Sequence, residues 1–152
     1  MKKLSEFELG YLAALIDQYA TLDLMRCHLP NGRLRIQPSI RIYVKAPIRE
    51  HLSKMVRGGY TLNVTNKRHD HKPTFAFNLC AHGPTADLLE QVGPCLTMKK
   101  EHARLIAAFC RSRKARGFRP EPYSAEELAI CAAFKKLPGD RKRRGYKSEG
   151  MS

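Results

Sequence analysis

The stretch "ELGYLAALIDQYATLDL", Glu8 to Leu24, changes its hydrophobic pattern near its middle. Up to Asp17 the apolar residues recur mostly at spacings of three and four, which is typical of a helix with one buried face. From Thr21 the spacing changes to two, so Leu22 and Leu24 share one side of a strand. The sequence therefore predicts a helix that runs directly into a strand, with one acid just before the junction.

Signals at helix ends locate the other helices. Ser5 and Ser124 are each followed three residues later by Glu, which predicts a capping box at the start of two helices. Pro47 suits a first helical turn, and the Gly58-Gly59 pair suits the end of the same short helix. The predicted helices are at about 4–18, 47–56, 85–92, 98–116 and 124–137.

Two hairpins are predicted between these helices. After the turn Leu29–Gly32, apolar and polar residues alternate, so one face of the second strand is aliphatic and the other cationic. The second hairpin pairs residues 60–64 with residues 74–79, and its alternation predicts a polar outer face that includes Thr61, Asn63 and Thr65. The outward residues of the first hairpin's second strand are Arg33, Arg35, Gln37, Ser39, Arg41, Tyr43 and Lys45.

This order of elements predicts an α+β fold, αββαββα, with helices covering one face of a four-stranded antiparallel sheet. The length of 152 residues suits one domain of ordinary size. We expect a main domain at 1–117, a C-terminal helix at 118–137 packed on or near it, and a basic tail at 138–152.

The charge balance favours a polyanionic partner. The chain has 28 Lys and Arg residues against 14 Asp and Glu residues, a formal net charge of +14, and the excess is largest in its C-terminal third. Phosphate chains attract such a surface because each neutralised phosphate releases condensed counterions. The basic segments lack the large apolar face that seats a helix in lipid, so nucleic acid is favoured over a membrane.

The cysteine pattern favours a reducing, intracellular environment. Five cysteines are an odd number, and their spacing contains no Cys-x-x-Cys pair. His69-x-His71 and Cys80-x-His82 are weak candidates for zinc ligands, because structural zinc sites need four soft ligands at recognisable spacing.

Residues Leu12–Ala20 resemble the nine-residue signature of the LAGLIDADG homing endonucleases of the single-motif type. Ile48–Gly59 is similar to the family's second helix, and Phe77–Phe109 is similar to its fourth strand and the following helices. The resemblance implies an αββαββ fold whose motif helix pairs with a second copy. It also implies that the outer sheet faces bind DNA in the major groove.

The resemblance assigns roles to particular residues. The implied homodimer contacts are Tyr11, Ala13, Ala14 and Asp17. The implied nucleic-acid contacts are Arg33, Arg35, Gln37, Arg41, Tyr43, Lys45, Lys67, Arg68 and His69. A further phosphate contact is expected from the tail residues Arg141, Lys142, Arg143 and Arg144.

The catalytic position departs from the family pattern. The eighth motif residue is an acid that holds divalent cations in the family, but here it is Tyr19, whose neutral phenol cannot replace a carboxylate. Lys99 falls on the family's basic position beside the scissile phosphate. Asp17 and Asp23 are the other metal-ligand candidates, Asp23 through a relocated site, so Mg²⁺ is expected only if cleavage is retained.

Three functions remain open from the sequence. The first is a DNA-binding relative of the homing endonucleases with impaired or lost cleavage. The second is a non-catalytic protein that binds structured RNA, such as an intron splicing cofactor or a ribonucleoprotein or ribosome subunit. The third is an active site-specific endonuclease with a relocated metal site.

Overall fold

A computed structural model describes residues 2–64, 74–116 and 122–139. The helices of these regions are α1 (Glu6–Tyr19), α2 (Ala46–Met55), α3 (His82–Val92), α4 (Lys100–Ala115) and α5 (Ala125–Lys136). The strands are β1 (Ala20–His28), β2 (Leu34–Lys45), β3 (Tyr60–Asn63) and β4 (Thr74–Leu79). The α+β order is as predicted, with three helices after the last strand.

Local sequence signals account for the helix starts and the first turn. Ser5 and Glu8 exchange the two hydrogen bonds of a capping box before α1, as predicted. Ser124 and Glu127 do the same before α5. Gly32, between β1 and β2, has a φ of 81°, a conformation that glycine adopts without a steric penalty.

The four strands form one antiparallel sheet in the order β1-β2-β4-β3. Directly opposed residues of antiparallel strands point to the same face, so the pair Ile42 and Phe77 defines the inner face. Leu22 and Leu24 of β1 are buried on this side as predicted. Helices α1 to α4 pack against the sheet and bury these residues in a single core.

The outward face predicted for β3 is wrong. Thr61 pairs with Phe77, and Asn63 pairs with Phe75, whose ring lies under the guanidinium of Arg49 on α2. Thr61 and Asn63 therefore face the helices. The outward residues at β3 are Tyr60, Leu62 and Val64, which are all exposed.

The C-terminal helix α5 packs against α4 through a buried carboxylate. Glu127 is fully buried and forms ion pairs with Arg113 and Arg116. Burial raises the pKa of Glu127, but hydrogen bonds with Ser124 and the positive charges of Arg113 and Arg116 hold it below its ordinary value. The hydroxyl of Tyr123, which precedes α5, lies 2.6 Å from the Ile36 amide nitrogen and accepts its N–H. The ion pairs thus join α5 to the end of α4, and the Tyr123 hydrogen bond joins the segment before α5 to β2.

All five cysteines are free thiols. Cys110 and Cys131 are buried, and desolvation raises the pKa of Cys110 to about 12, so it acts as a small apolar core residue. Desolvation also raises the pKa of Cys131. Among the described residues, no helix has the length and apolar character needed to cross a membrane.

Candidate nucleic-acid interface

The cationic residues predicted on β2 share the outer face of the sheet. They alternate with inward residues such as Ile36 and Ile42, which have almost no solvent exposure. The side chains of Arg35, Tyr43 and Lys45 are exposed, whereas those of Gln37 and Arg41 are partly buried. Arg33 lies exposed in the turn before the strand. β2 lies next to both β1 and β4, so this row of side chains runs along the sheet interior.

Two of these cations are oriented by residues on β4. Nε of Arg41 donates to Oδ1 of Asn78 at 2.8 Å, and Nζ of Lys45 donates to Oγ1 of Thr74 at 2.6 Å. Asn78 is itself buried, and its amide donates to the Ala76 carbonyl at 3.1 Å. Because Asn78 and Thr74 are neutral, these contacts orient the cations without neutralising them.

The carboxylate of Asp17, the sixth motif residue, holds the start of α4. Its Oδ2 accepts the Thr97 N–H at 2.7 Å, and its Oδ1 accepts the N–H groups of Met98 and Lys99 at 3.1 Å each. These three residues precede α4, with Lys99 as its N-cap, so the carboxylate fixes the chain at the entry to the helix and places negative charge near the helix N-terminus, which the helix dipole favours. Asp17 is buried, and its carboxylate anchors the segment that leads into another helix.

The ammonium of Lys99 lies at the opposite end of this junction. Its Nζ donates to the Ile16 carbonyl at 3.1 Å and also to the Ala20 carbonyl. These carbonyls belong to the last turn of α1 and its C-cap, where partial negative charge accumulates. The predicted basic residue therefore contacts the end of the motif helix itself.

Asp23 lies on the outward side of β1. It pairs with Ser39 and lines a cavity of about 240 Å³ at the β1 edge. Lys99, His102 and Phe134 line the same cavity, so α4 and α5 border this edge of the sheet.

The residues at the end of α1 do not fit a magnesium site of the family type. Magnesium is bound through carboxylate oxygens together with water and phosphate. Tyr19 supplies a phenol that is 64% exposed, and both oxygens of Asp17 already accept backbone N–H groups. In the described parts of the chain, no group of three or more His, Cys, Asp or Glu side chains is arranged to hold a metal ion.

The exposed face of α1 differs from the predicted dimer contacts. Ala13 and Asp17 are buried within the chain's own core, whereas the homodimer contacts predicted from the resemblance need them at the surface. Ala14 is exposed, and Tyr11 is half-buried, with its ring edge-on to His51. The exposed stripe of the helix consists of Phe7, Gly10, Ala14 and Gln18.

Other predicted contact residues lie outside the described residues. They belong to the tip of the second hairpin and to the basic tail. These are Thr65, Lys67, Arg68, His69, Arg141, Lys142, Arg143 and Arg144. Sequence reasoning also missed Tyr60, Leu62 and Val64, because alternation shows which residues share a face but not which face is covered.

Solved structures with the same architecture are homing endonucleases. The archaeal intron-encoded enzyme I-Vdi141I, complexed with DNA, has a TM-score of 0.70 at 11% identity, covering 89% of this chain and 86% of that chain. The LAGLIDADG meganuclease I-CpaMI, bound to uncleaved DNA, has a TM-score of 0.62 at 13% identity, covering 94% of this chain and 51% of that one. I-CvuI, in a complex with 2 mM Mg in which the DNA is not cleaved, has a TM-score of 0.58 at 14% identity, covering 88% and 98%.

Sequence comparison adds no closer relationship. No protein-family model matches the chain, and no curated protein matches it in sequence. The chain spans about half the length of I-CpaMI and 66% of the I-CvuI chain in a second complex, solved with Ca. What the structural similarity establishes is the architecture: the chain has the α+β fold of the LAGLIDADG homing endonucleases.

Proposed function

We propose that this chain is a nucleic-acid-binding protein of the LAGLIDADG type that has lost metal-dependent cleavage at the end of α1. The observation that carries the proposal is the outward row of β2. It presents Arg35, Arg41 and Lys45 on one surface, and no acidic residue interrupts the row. Cations spaced along a strand match the repeated charge of a phosphate backbone.

The charge of the whole chain supports the same partner. A formal charge of +14 attracts a polyanion over a distance of about 10 Å at moderate salt, while the β2 row supplies the direct contacts. The structural neighbours I-Vdi141I and I-CpaMI are described as bound to DNA. Duplex DNA is therefore the first ligand to test, and structured RNA is the second.

The junction of α1 and α4 supports the loss of cleavage. Tyr19 occupies the position where the family has its metal-binding acid. The two ionised groups beside it, Asp17 and Lys99, are used to join the two helices. Asp23 is the remaining ligand candidate from the sequence, and it lines the cavity at the β1 edge together with Lys99.

We further propose that a DNA-bound form is a homodimer through the exposed stripe of α1. Gly10 and Ala14 lie one turn apart on that stripe and leave room for close approach of a second backbone. Phe7 is 72% exposed, and pairing would remove its apolar surface from water. Gln18 at the end of the stripe is larger than these residues and would limit close approach there.

A combined binding and nicking assay tests the proposal. Supercoiled plasmid is incubated with the native chain in Mg²⁺ or Mn²⁺, and binding is measured in the same samples by gel shift. We expect binding without nicking. Native nicking that is abolished by Asp23→Asn would overturn the proposal in favour of the relocated metal site.

Two variants at position 19 sharpen this assay. Tyr19→Asp supplies the missing carboxylate at an exposed helix end. Tyr19→Asn is the control, because asparagine is similar in size to aspartate but has no charge. Nicking gained only by Tyr19→Asp would support a loss of cleavage caused by this one residue.

A further inference from the structure

One side of the outer sheet face carries a group of exposed apolar and aromatic side chains. Tyr43, Tyr60, Leu62 and Val64 are each between 42% and 50% exposed. These four residues, here named the tyrosine patch, occupy the side of the sheet formed by β4 and β3 together with the end of β2. So much exposed apolar surface in one place marks a binding surface more often than an ordinary solvent-facing one.

The strand register makes the tyrosine patch continuous. Tyr43 lies opposite Ala76, and Ala76 lies opposite Leu62, so the three form one row across β2, β4 and β3. Ala76 is only 2% exposed, although it is on the outer face, because its larger neighbours cover it. The row therefore has no gap between its two exposed ends.

The ring of Tyr60 extends along the sheet. Tyr60 pairs with Asn78, yet its hydroxyl is 3.9 Å from Sγ of Cys80, two residues further along the chain. Two residues of a strand span about 6.6 Å, so the side chain must run along the strand direction to reach that sulfur. The hydrogen bond with Cys80 also raises the pKa of Tyr60, so its ring stays uncharged near neutral pH.

The tyrosine patch contains few groups that could recognise base edges. The polar residues of β4 on this face, Asn78 and Thr74, accept hydrogen bonds from Arg41 and Lys45. Reading paired bases in a major groove requires side-chain donors and acceptors aimed at base edges. An apolar aromatic surface instead suits the flat faces of bases that are not stacked in a duplex.

The cations beside the tyrosine patch indicate the rest of the ligand. Arg41 lies in the same cross-strand row as Tyr60, and Lys45 lies two residues from Tyr43 on the same face. Each cation is therefore close enough to contact a phosphate that flanks a base stacked on the nearby ring. Charge complementarity thus favours a nucleotide chain over an apolar protein segment.

We propose that the tyrosine patch binds unpaired nucleotides, with bases stacked on Tyr43 and Tyr60 and the flanking phosphates held by Arg41 and Lys45. This inference rests on the proposed function, because it assigns the ligand class of the same sheet face. A nucleic-acid hairpin offers both parts of such a ligand, because its paired stem can contact the β2 row while the unpaired bases of its loop contact the tyrosine patch. Both RNA and DNA hairpins can supply it.

The test compares ligands that differ only in unpaired bases. Fluorescence anisotropy measures affinity for an RNA hairpin with an eight-nucleotide loop, the fully paired stem, and the matching DNA pair. The variant is Tyr43→Leu/Tyr60→Leu, which removes both rings, and Tyr43→Phe/Tyr60→Phe is the matched control that keeps them. Thermal melting of both variants checks that the fold is retained.

We expect the Leu variant to bind the loop ligands roughly 5- to 150-fold more weakly per stacked base, with stem affinity and salt dependence unchanged. The Phe control should bind like the native chain. A comparison of the affinity lost for the RNA hairpin with that lost for the DNA hairpin identifies which nucleic acid the tyrosine patch prefers.

Equal affinity of the native and Leu variants for the looped hairpins would overturn the inference. A shift in sedimentation of the Leu variant without nucleic acid would also overturn it, since the patch would then contact a second copy. In both cases native binding of the paired stem would leave the proposed function standing. A failure of the proposed function would instead appear as no binding of either stem or hairpin.

Discussion

Asp17 and Lys99 join the end of α1 to the entry of α4 through reciprocal hydrogen bonds. The Asp17 carboxylate accepts the backbone N–H of Lys99 at 3.1 Å, and the Lys99 ammonium donates to the carbonyl of Ile16, the residue before Asp17, at 3.1 Å. A negative charge thus lies at the start of α4 and a positive charge at the end of α1, each with the sign that the helix dipole favours. Two ionisable residues of the motif region therefore join two helices of the core.

Removing the carboxylate should destabilise the fold. Asp17→Ala leaves three N–H groups just before α4 without their acceptor, and hydrogen bonds to charged groups contribute about 1.5–3 kcal/mol each. Because water will replace part of the loss, we expect about 2–4 kcal/mol less stability in urea unfolding. The exposed Glu50→Gln should change stability by less than about 0.5 kcal/mol. If Asp17→Ala changed stability as little as this control, the carboxylate would not anchor the entry to α4.

Replacing Lys99 should affect stability more than binding. Lys99→Gln removes the cation at the end of α1, and we expect a loss of about 1 kcal/mol. The dependence of nucleic-acid affinity on salt concentration should stay unchanged. If instead stability is unaffected and the salt slope falls by about 0.9, Lys99 contacts a phosphate in the complex.

The sequence predicted part of this junction. It placed one acid, Asp17, just before the point where the first helix runs into the first strand. Its partners could not be predicted, because Thr97–Lys99 are about 80 residues away in the chain and only the packed core brings them together. Short-range signals such as the capping boxes of α1 and α5 were predictable, because all of their atoms lie within four residues.

Gly59 should tolerate no side chain. A Cβ at this position would clash with Cζ of Phe77, a core ring that is only 2% exposed. Gly59→Ala should therefore cost about 1–3 kcal/mol, measured by urea unfolding. Gly83→Ala is the control, since a Cβ there meets nothing within 4 Å. Equal stability of the two variants would show that Phe77 can move away.

The two strands β2 and β3 show how far sequence prediction reached. β2 could be predicted because it is a long strand with aliphatic residues on one side and cations on the other. β3 is a short edge strand, in which Tyr60 and Leu62 alternate with Thr61 in a pattern that fits either face. Pairing with β4 decides between the faces, and that register is not visible in β3 alone.

Stability should fall on mild acidification through His82. Desolvation and the charges of Arg113 and Arg35 hold the pKa of His82 below its ordinary value, against the opposing charge of Glu127. The folded state therefore binds fewer protons than the unfolded state. The stability that the neutral imidazole contributes is present above about pH 6.5, and it is lost as the pH falls and the ring must take up a proton. His82→Gln should lose less stability than the native chain between pH 7.5 and 5.5 in urea unfolding. If the native chain and His82→Gln lost the same stability over this pH range, other titratable groups would cause the effect.

The central claim is that the outer sheet face binds nucleic acid, and charge-matched variants test it most directly. Arg35→Gln/Arg41→Gln/Lys45→Gln removes three cations from that face, and Lys54→Gln/Lys100→Gln/Lys136→Gln removes three exposed cations from the helices. The measurement is affinity for one nucleic acid as a function of salt, with melting as a check on folding. The sheet variant should bind at least about tenfold more weakly and lose roughly 2–3 units of salt slope, with the helix variant near native. Equal losses in the two variants would contradict the account, since binding would then follow net charge and not this surface.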